Sequence, residues 1–168
     1  MFLNTEKHKE IIIRTVLFVL NIAVAVAIFV FSSQPAELSD SVSGGLVYKV
    51  LDIFTSLPAD KLAVAVESFN GIARKLAHFS IYAVFAVCSS ALLSRYNIKR
   101  KTKVLSAFTI CFLYAVSDEI HQYFVPGRSC ELRDVLIDTS GVIAGIVIYH
   151  FIKYIISKFI KNKGSVAK

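Results

Sequence analysis

The longest apolar run of the chain decides its fold class. Residues 11–31 read IIIRTVLFVLNIAVAVAIFVF, a stretch that only Arg14, Thr15 and Asn21 interrupt. A helix needs roughly 20 apolar residues to cross a hydrocarbon core of about 30 Å. This run has that length, and Phe29 and Phe31 do not resemble the small residues of a signal-peptide cleavage site. We therefore predict a retained transmembrane helix.

Three further apolar runs follow, over residues 76–93, 104–120 and 135–156. The composition agrees with four spans, because 55% of the 168 residues are hydrophobic and 18% are charged. The mean hydropathy is +0.63, whereas a soluble domain usually carries about 25% charged residues. We predict an all-α bundle of four transmembrane helices that forms one domain over residues 1–168.

The basic residues predict the orientation of these helices. Lys and Arg accumulate in the short cytoplasmic loops of membrane proteins. In a four-span protein the three most basic segments lie on one side, so we expect both termini in the cytoplasm. We expect the basic residues behind the net charge of +7 to set the membrane topology and to contact lipid head groups, and not to bind nucleic acid. The three segments contain Lys7 and Lys9; Arg95, Lys99, Arg100, Lys101 and Lys103; and Lys158, Lys161, Lys163 and Lys168.

The long first outer loop has helical patterns of its own. Apolar residues at helical spacing between Leu46 and Phe54 predict a short amphipathic helix. Pro58 is placed to start a second short helix, which would end at a turn predicted for Asn70-Gly71. We expect both helices to lie at the outer membrane interface or to cap the bundle.

The unusual polar residues share one membrane depth, near the outer face. An ionisable group inside a span costs about 2.5–3.5 kcal/mol, so such groups normally face a partner or a watery cavity. Their helical spacing predicts three stripes that face the bundle interior. Ion pairs that merely hold the helices together are the alternative to a functional site. The stripes are Arg74, His78 and Tyr82, flanked by Lys75; Tyr114, Asp118 and Gln122; and Asp134, Asp138, Gly141 and Gly145.

The third stripe continues into a small-residue face. Gly141 and Gly145 have the spacing that lets two membrane helices approach closely. One interaction that this pattern predicts is a homo-oligomer, in which two copies of the chain pack together through Gly141 and Gly145.

Four segments carry a resemblance to a known family. Residues 31–35 read FSSQP, residues 74–82 read RKLAHFSIY, residues 117–128 read SDEIHQYFVPGR, and residues 134–141 read DVLIDTSG. In this order, over about residues 15–155, they resemble the VanZ family. One departure is Asp138, where many members carry Asn.

The resemblance implies a multi-pass protein of the bacterial cytoplasmic membrane. The namesake of the family is associated with resistance to teicoplanin, a lipoglycopeptide antibiotic. The resemblance implies no particular reaction. It makes membrane lipids, a lipid-linked cell-wall precursor or a lipoglycopeptide the expected partners.

Two functions of different classes are consistent with these residues. In the first, a non-enzymatic protein binds a lipid-linked cell-envelope molecule, and its cations hold phosphate. In the second, an intramembrane transferase or hydrolase acts on an outer-leaflet lipid-linked substrate, with His78, Asp118 and Glu119 as candidate catalytic residues. A transporter or channel is less favoured because no inverted repeat is visible. The residues expected to contact a ligand are Arg74, Lys75, His78, Asp118, Glu119, Gln122, Arg128, Asp134 and Asp138.

A divalent metal is the less favoured interpretation of the same residues. His78, Asp118, Glu119 and His121 have suitable side chains, but Glu119 points about 100° away from Asp118 on a helix. No HExxH motif occurs, and the three cysteines have no CxxC spacing. We therefore expect neither a metal nor an organic cofactor.

Overall fold

The chain is all-helical in the computed structural model, which describes residues 2–166 and the side chains of residues 5–160. Within residues 2–166 there are five helices and no strands: α1 (Phe2–Ser32), α2 (Ala36–Phe54), α3 (Ala59–Ser94), α4 (Arg100–Gln122) and α5 (Leu132–Val166). Among the residues whose side chains are described, four segments are long and apolar enough to cross a membrane: Thr5–Ser32, Ala59–Ser94, Arg100–Gln122 and Leu132–Ile160. The predicted class, a multi-pass bundle with four apolar spans, is confirmed.

The first outer loop differs from its prediction. The turn predicted at Asn70-Gly71 is wrong, because α3 continues through both residues. The second predicted loop helix is therefore the N-terminal part of α3, against which α2 packs. An interior glycine costs a helix only about 1 kcal/mol, which this packing can offset. Helix α2 occupies the place of the first predicted loop helix but begins earlier, directly after Pro35.

Helix α3 is the centre of the bundle, because it packs against each of the other four helices. Four of the core residues are alanine or cysteine, and these small side chains let the helices come close together. Most other large apolar side chains of the spans remain exposed, as expected for surfaces that face lipid. The core consists of Ile28, Tyr82, Phe85, Ala86, Ala107, Cys111, Ala115, Val142 and Ile146.

The small-residue face of α5 packs within the chain. A Cβ atom on Gly141 would overlap the carbonyl group of Phe79, and one on Gly145 would overlap that of Ala83. The predicted close approach of a helix is present, but the neighbour is α3. The face that was expected to receive a second copy is therefore covered by the same chain.

Different interactions stabilise the two ends of the bundle. At the end predicted to be cytoplasmic, Glu10 pairs with both Arg14 and Arg95, and the Arg14 guanidinium donates to the Arg95 carbonyl at 2.7 Å. These contacts fix α1 to the end of α3. The orientation itself remains a prediction, and Lys161, Lys163 and Lys168 lie outside the described side chains.

At the opposite end, the loop between α4 and α5 contacts the start of α2. Gly127 has a φ of +75°, a conformation that glycine adopts without strain. The preceding Pro126 carbonyl accepts a hydrogen bond from the Ala36 amide at 3.2 Å. The turn at Pro126-Gly127 therefore ties this loop to the start of α2.

Candidate functional site

Three side chains from three helices converge near the end of the bundle that was predicted to face outward. His78 of α3, Asp118 of α4 and Asp138 of α5 each have a nitrogen or oxygen atom within 4.8 Å of the other two. Asp138 is fully buried and Asp118 is 4% exposed. The three predicted stripes therefore meet inside the bundle, with the fully buried Tyr82 one turn below His78.

The glycine face of α5 explains this convergence. Gly141 lies about one turn along α5 from Asp138, and it contacts the backbone of Phe79, the neighbour of His78. The absence of a side chain at Gly141 lets the two helices approach there. The Nδ1 atom of His78 consequently lies 3.4 Å from Oδ1 of Asp138.

Asp118 belongs to a hydrogen-bond network that joins several segments. Its Oδ2 atom accepts hydrogen bonds from the Ser32 hydroxyl at 2.8 Å and from the Gln122 amide at 3.2 Å. The side-chain oxygen of Gln122, Oε1, in turn accepts a hydrogen bond from Nη1 of Arg128 at 2.9 Å. This network fixes the Asp118 carboxylate at the junction of α1 and α4.

Arg128 chiefly holds the end of α1. Its Nε atom donates to the Gln34 carbonyl at 2.9 Å, and its Nη2 atom donates to the Phe31 carbonyl at 3.2 Å. A cation is well placed there, because a helix leaves its last carbonyls unpaired. Burial, aided by the nearby charge of Arg74, lowers the pKa of the Arg128 guanidinium. With the bond to Gln122, three of the five N–H donors of an arginine are engaged.

Glu119 faces a different neighbour from Asp118. It is only 1% exposed, and its Oε2 atom accepts a hydrogen bond from the Glu131 amide at 3.0 Å. Glu119 therefore positions the loop that leads into α5. Its other oxygen, and Oδ1 of Asp134, have no hydrogen-bond partner among the described residues.

Asp138 has the least expected environment of the cluster. Neither carboxylate oxygen has a hydrogen-bond partner in the described part of the chain, and the same is true of His78 Nδ1. The contact between His78 and Asp138 has the distance of an ion pair but lacks hydrogen-bond geometry. Buried polar atoms are nearly always paired, so these orphaned atoms require an explanation.

Two cavities meet at this cluster. An apolar groove of about 580 Å³ lies among α1, α2 and α3, and a polar pocket of about 230 Å³ lies among α3, the α4–α5 loop and α5. Arg74, His78 and Arg128 line both. The groove is also lined by Ile28, Phe31, Val42, Leu46, Ala73, Ala77 and Ile81. The pocket is also lined by Lys75, Gln122, Glu131, Asp134 and Asp138.

The two cations of α3 are less constrained than Arg128. The Nη1 atom of Arg74 binds Asp40 of α2 at 2.8 Å, which leaves its other donors toward the cavities. Lys75 lines the polar pocket only. These two residues are the better placed of the predicted phosphate-binding cations.

Sequence reasoning missed two contacts and misplaced one residue. The roles of Ser32 and Asp40 were not predicted, although Ser32 lies within the FSSQP segment that carried part of the resemblance. His121 stacks on Phe29, with ring centroids 4.6 Å apart, and its Nε2 atom lies 3.0 Å from the Ser33 hydroxyl. The metal group considered from the sequence, with Glu119 and His121, is therefore not brought together.

Comparison with known proteins gives one match. A family model described as VanZ/LLP1 matches residues 17–153. That range contains all the residues of the cluster and of both cavities. No curated protein and no solved structure gives a match.

Proposed function

From the premise that the chain belongs to the VanZ/LLP1 family of membrane proteins, we propose that it binds a lipid-linked molecule of the cell envelope. The observation that carries the proposal is the junction of the two cavities at Arg74, His78 and Arg128. An amphiphilic ligand needs an apolar channel and a polar pocket that share a border, and this arrangement provides both.

The groove suits a hydrocarbon chain. Its volume of about 580 Å³ is within the range of about 300–1,000 Å³ that is usual for small-molecule sites. On one side α2 contributes Val42 and Leu46, which are 61% and 64% exposed. These apolar side chains would lose contact with water when a lipid tail fills the groove, which favours binding.

The pocket suits a phosphate with a polar substituent. Arg74 and Lys75 offer free donors, and arginine binds phosphate through paired hydrogen bonds. Arg128 retains two donors beside them. Glu131 and Asp134, which also line the pocket, are acceptors for amine or hydroxyl groups of a head group. Mixed charge of this kind favours a zwitterionic or glycosylated phosphate over a simple anion.

The physiological consequence that we propose concerns lipid-tailed antibiotics. A protein that holds a lipid-linked precursor at the outer face changes its accessibility to molecules that recognise it there. Lower susceptibility to lipoglycopeptides such as teicoplanin is the expected result in a bacterial cytoplasmic membrane.

Lipid co-purification tests the binding. The Arg74→Ala, Lys75→Ala double variant removes two cations of the pocket, while Arg133→Ala removes an exposed cation outside both cavities. Phosphorus-containing lipid per mole of purified protein is measured by mass spectrometry. We expect the double variant to lose at least about tenfold in retained lipid, equivalent to about 1.4 kcal/mol. Equal retention by all three proteins would contradict the proposal.

A second candidate function is an intramembrane hydrolase or transferase. One observation favours it: His78 lines the pocket, and its Nδ1 atom lies 3.4 Å from the Asp138 carboxylate, close enough for the two to act as an acid–base pair once a substrate is bound. An enzyme would release or transfer a head group, so its expression would change the profile of extracted lipids. A His78→Gln variant with normal membrane abundance would abolish that change. A pure binding protein would leave the chemical composition of the lipids unaltered.

A further inference from the structure

We propose that His78, Asp118 and Asp138 form a binding site for one divalent transition-metal cation, of the class of Mn²⁺ or Zn²⁺. This site goes beyond lipid binding, because its residues can hold an ion in the absence of any lipid. It also departs from the sequence-based expectation of no metal.

The three side chains face each other at short range. Each offers one potential ligand atom, and these atoms lie within 4.8 Å of one another. If they stabilised the bundle by direct pairing, hydrogen bonds would join them. The His78 and Asp138 atoms approach to 3.4 Å without such a bond. Ligand atoms this close together, without hydrogen bonds between them, leave an arrangement that a metal ion can occupy.

Asp138 by itself, independently of the clustering, also favours a bound cation. Its side chain is 0% exposed, and both its oxygens lack a hydrogen-bond partner within residues 5–160. Among the described residues its ionic contact is with His78, which approaches Oδ1 at 3.4 Å, and a buried carboxylate with so little support is costly, most of all inside a membrane. Arg128 does not compensate for it, because that guanidinium is bonded to Gln122 and to two carbonyls of the α1 end. A divalent cation would coordinate this carboxylate and balance its charge.

Asp118 is held in place by hydrogen bonds from its neighbours. Metal-ligating carboxylates are usually held in place by further hydrogen bonds. Ser32 and Gln122 both donate to Oδ2 of Asp118, which fixes its plane. One imidazole with two carboxylates is a donor set that suits Mn²⁺ or Zn²⁺ better than it suits Ca²⁺, which prefers oxygen ligands alone.

The site borders the polar pocket, so a bound ion would contribute to ligand binding. His78 and Asp138 line that pocket, so the side of the ion not occupied by protein would face the cavity. An anionic oxygen of a ligand could complete the coordination there. The three protein ligands leave room for this, because these metals bind four or more ligands.

Metal titration of the purified protein tests the site. The protein is delipidated in detergent, stripped with EDTA and titrated with Mn²⁺, with free Mn²⁺ followed by electron paramagnetic resonance; Zn²⁺ is titrated calorimetrically. We expect the wild type to bind about one ion per chain. Asp138→Asn should weaken binding by at least about 100-fold, since loss of an outer-shell partner alone costs about 10–100-fold. The matched control, Asp60→Asn, removes an exposed carboxylate of the same helix as His78 and should bind like the wild type.

Equal binding by the wild type and by folded Asp138→Asn would overturn the proposal. If Asp138→Asn does not fold, the wild type alone decides the question. Removal of metal should lower its thermal unfolding midpoint, and Mn²⁺ or Zn²⁺, but not Mg²⁺, should restore it. An unchanged midpoint would also overturn the site. Because no lipid is present, a protein that binds the ion but retains no lipid contradicts only the proposed function.

Discussion

The two buried aspartates of the cluster have contrasting surroundings. Asp118 accepts two hydrogen bonds, whereas Asp138 accepts none within the described part of the chain. The helical spacing of the sequence was enough to predict that His78, Asp118 and Asp138 face inward. It could not predict the role of Ser32, because a single serine in the last turn of a helix belongs to no polar stripe that would indicate its partner. Contacts between segments far apart in sequence become visible only in three dimensions.

The Ser32 contact gives a prediction at the residue scale. Ser32→Ala should destabilise the protein by about 1–3 kcal/mol, because it removes a hydrogen bond from a buried carboxylate. Thermal unfolding in detergent measures the change. Ser41→Ala is the control, since this exposed hydroxyl bonds only within α2, to the Leu38 carbonyl. Equal midpoints for the two variants would show that the Ser32 bond contributes nothing.

At the scale of the helices, apolar length predicted four spans correctly and local turn residues predicted one break wrongly. Asn70 and Gly71 are common in turns, yet α3 continues through them. Asn70 is held instead by α2, since its Oδ1 atom accepts a hydrogen bond from the Ser43 hydroxyl and its amide donates to the Asp40 carbonyl. Packing between neighbouring helices overrides a local preference of this size.

The continuity of α3 gives a direct prediction. A Cβ atom on Gly71 would meet open space, so Gly71→Ala should raise the free energy of unfolding by about 0.4–1 kcal/mol. The same substitution in a turn that required a positive φ would destabilise the protein. A lower unfolding midpoint for Gly71→Ala would therefore argue for the predicted turn and against the continuous helix.

The contact between α3 and α5 gives the opposite prediction for another glycine. A Cβ atom on Gly141 would overlap the Phe79 carbonyl. Because this is a backbone group within a helix, no change of side-chain rotamer can relieve the overlap. Gly141→Ala should therefore cost about 1–3 kcal/mol, as overpacking usually does. It should also move Asp138 away from His78 and weaken any binding at the cluster. Thermal unfolding is the readout, and Gly45→Ala, which meets nothing within 4 Å, is the matched control. A Gly141 variant as stable as the control would contradict the close contact.

For the whole molecule, the remaining prediction from the sequence is its orientation. Cys130 is exposed in the α4–α5 loop, while Cys111 is buried in the core. In intact cells, a membrane-impermeant maleimide should label Cys130 if this loop faces outward. In a variant with Cys130 replaced by Ser, a Lys101→Cys substitution at the other end should react only after permeabilisation. Labelling at Lys101→Cys in intact cells, with none at Cys130, would reverse the predicted topology.

The lengths of the helices set how deep the cluster lies. His78 is roughly 24 Å along α3 from Ser94, and Asp118 is roughly 27 Å along α4 from Arg100, at about 1.5 Å per residue. In a hydrocarbon core of about 30 Å, with the predicted orientation, both lie in the outer fifth. One charge that crosses the entire membrane gains or loses about 2.3 kcal/mol per 100 mV. A divalent ion that enters from outside would cross only a small part of that voltage, worth about 1 kcal/mol. Occupancy of the cluster should therefore follow the composition of the medium far more than the electrical state of the cell.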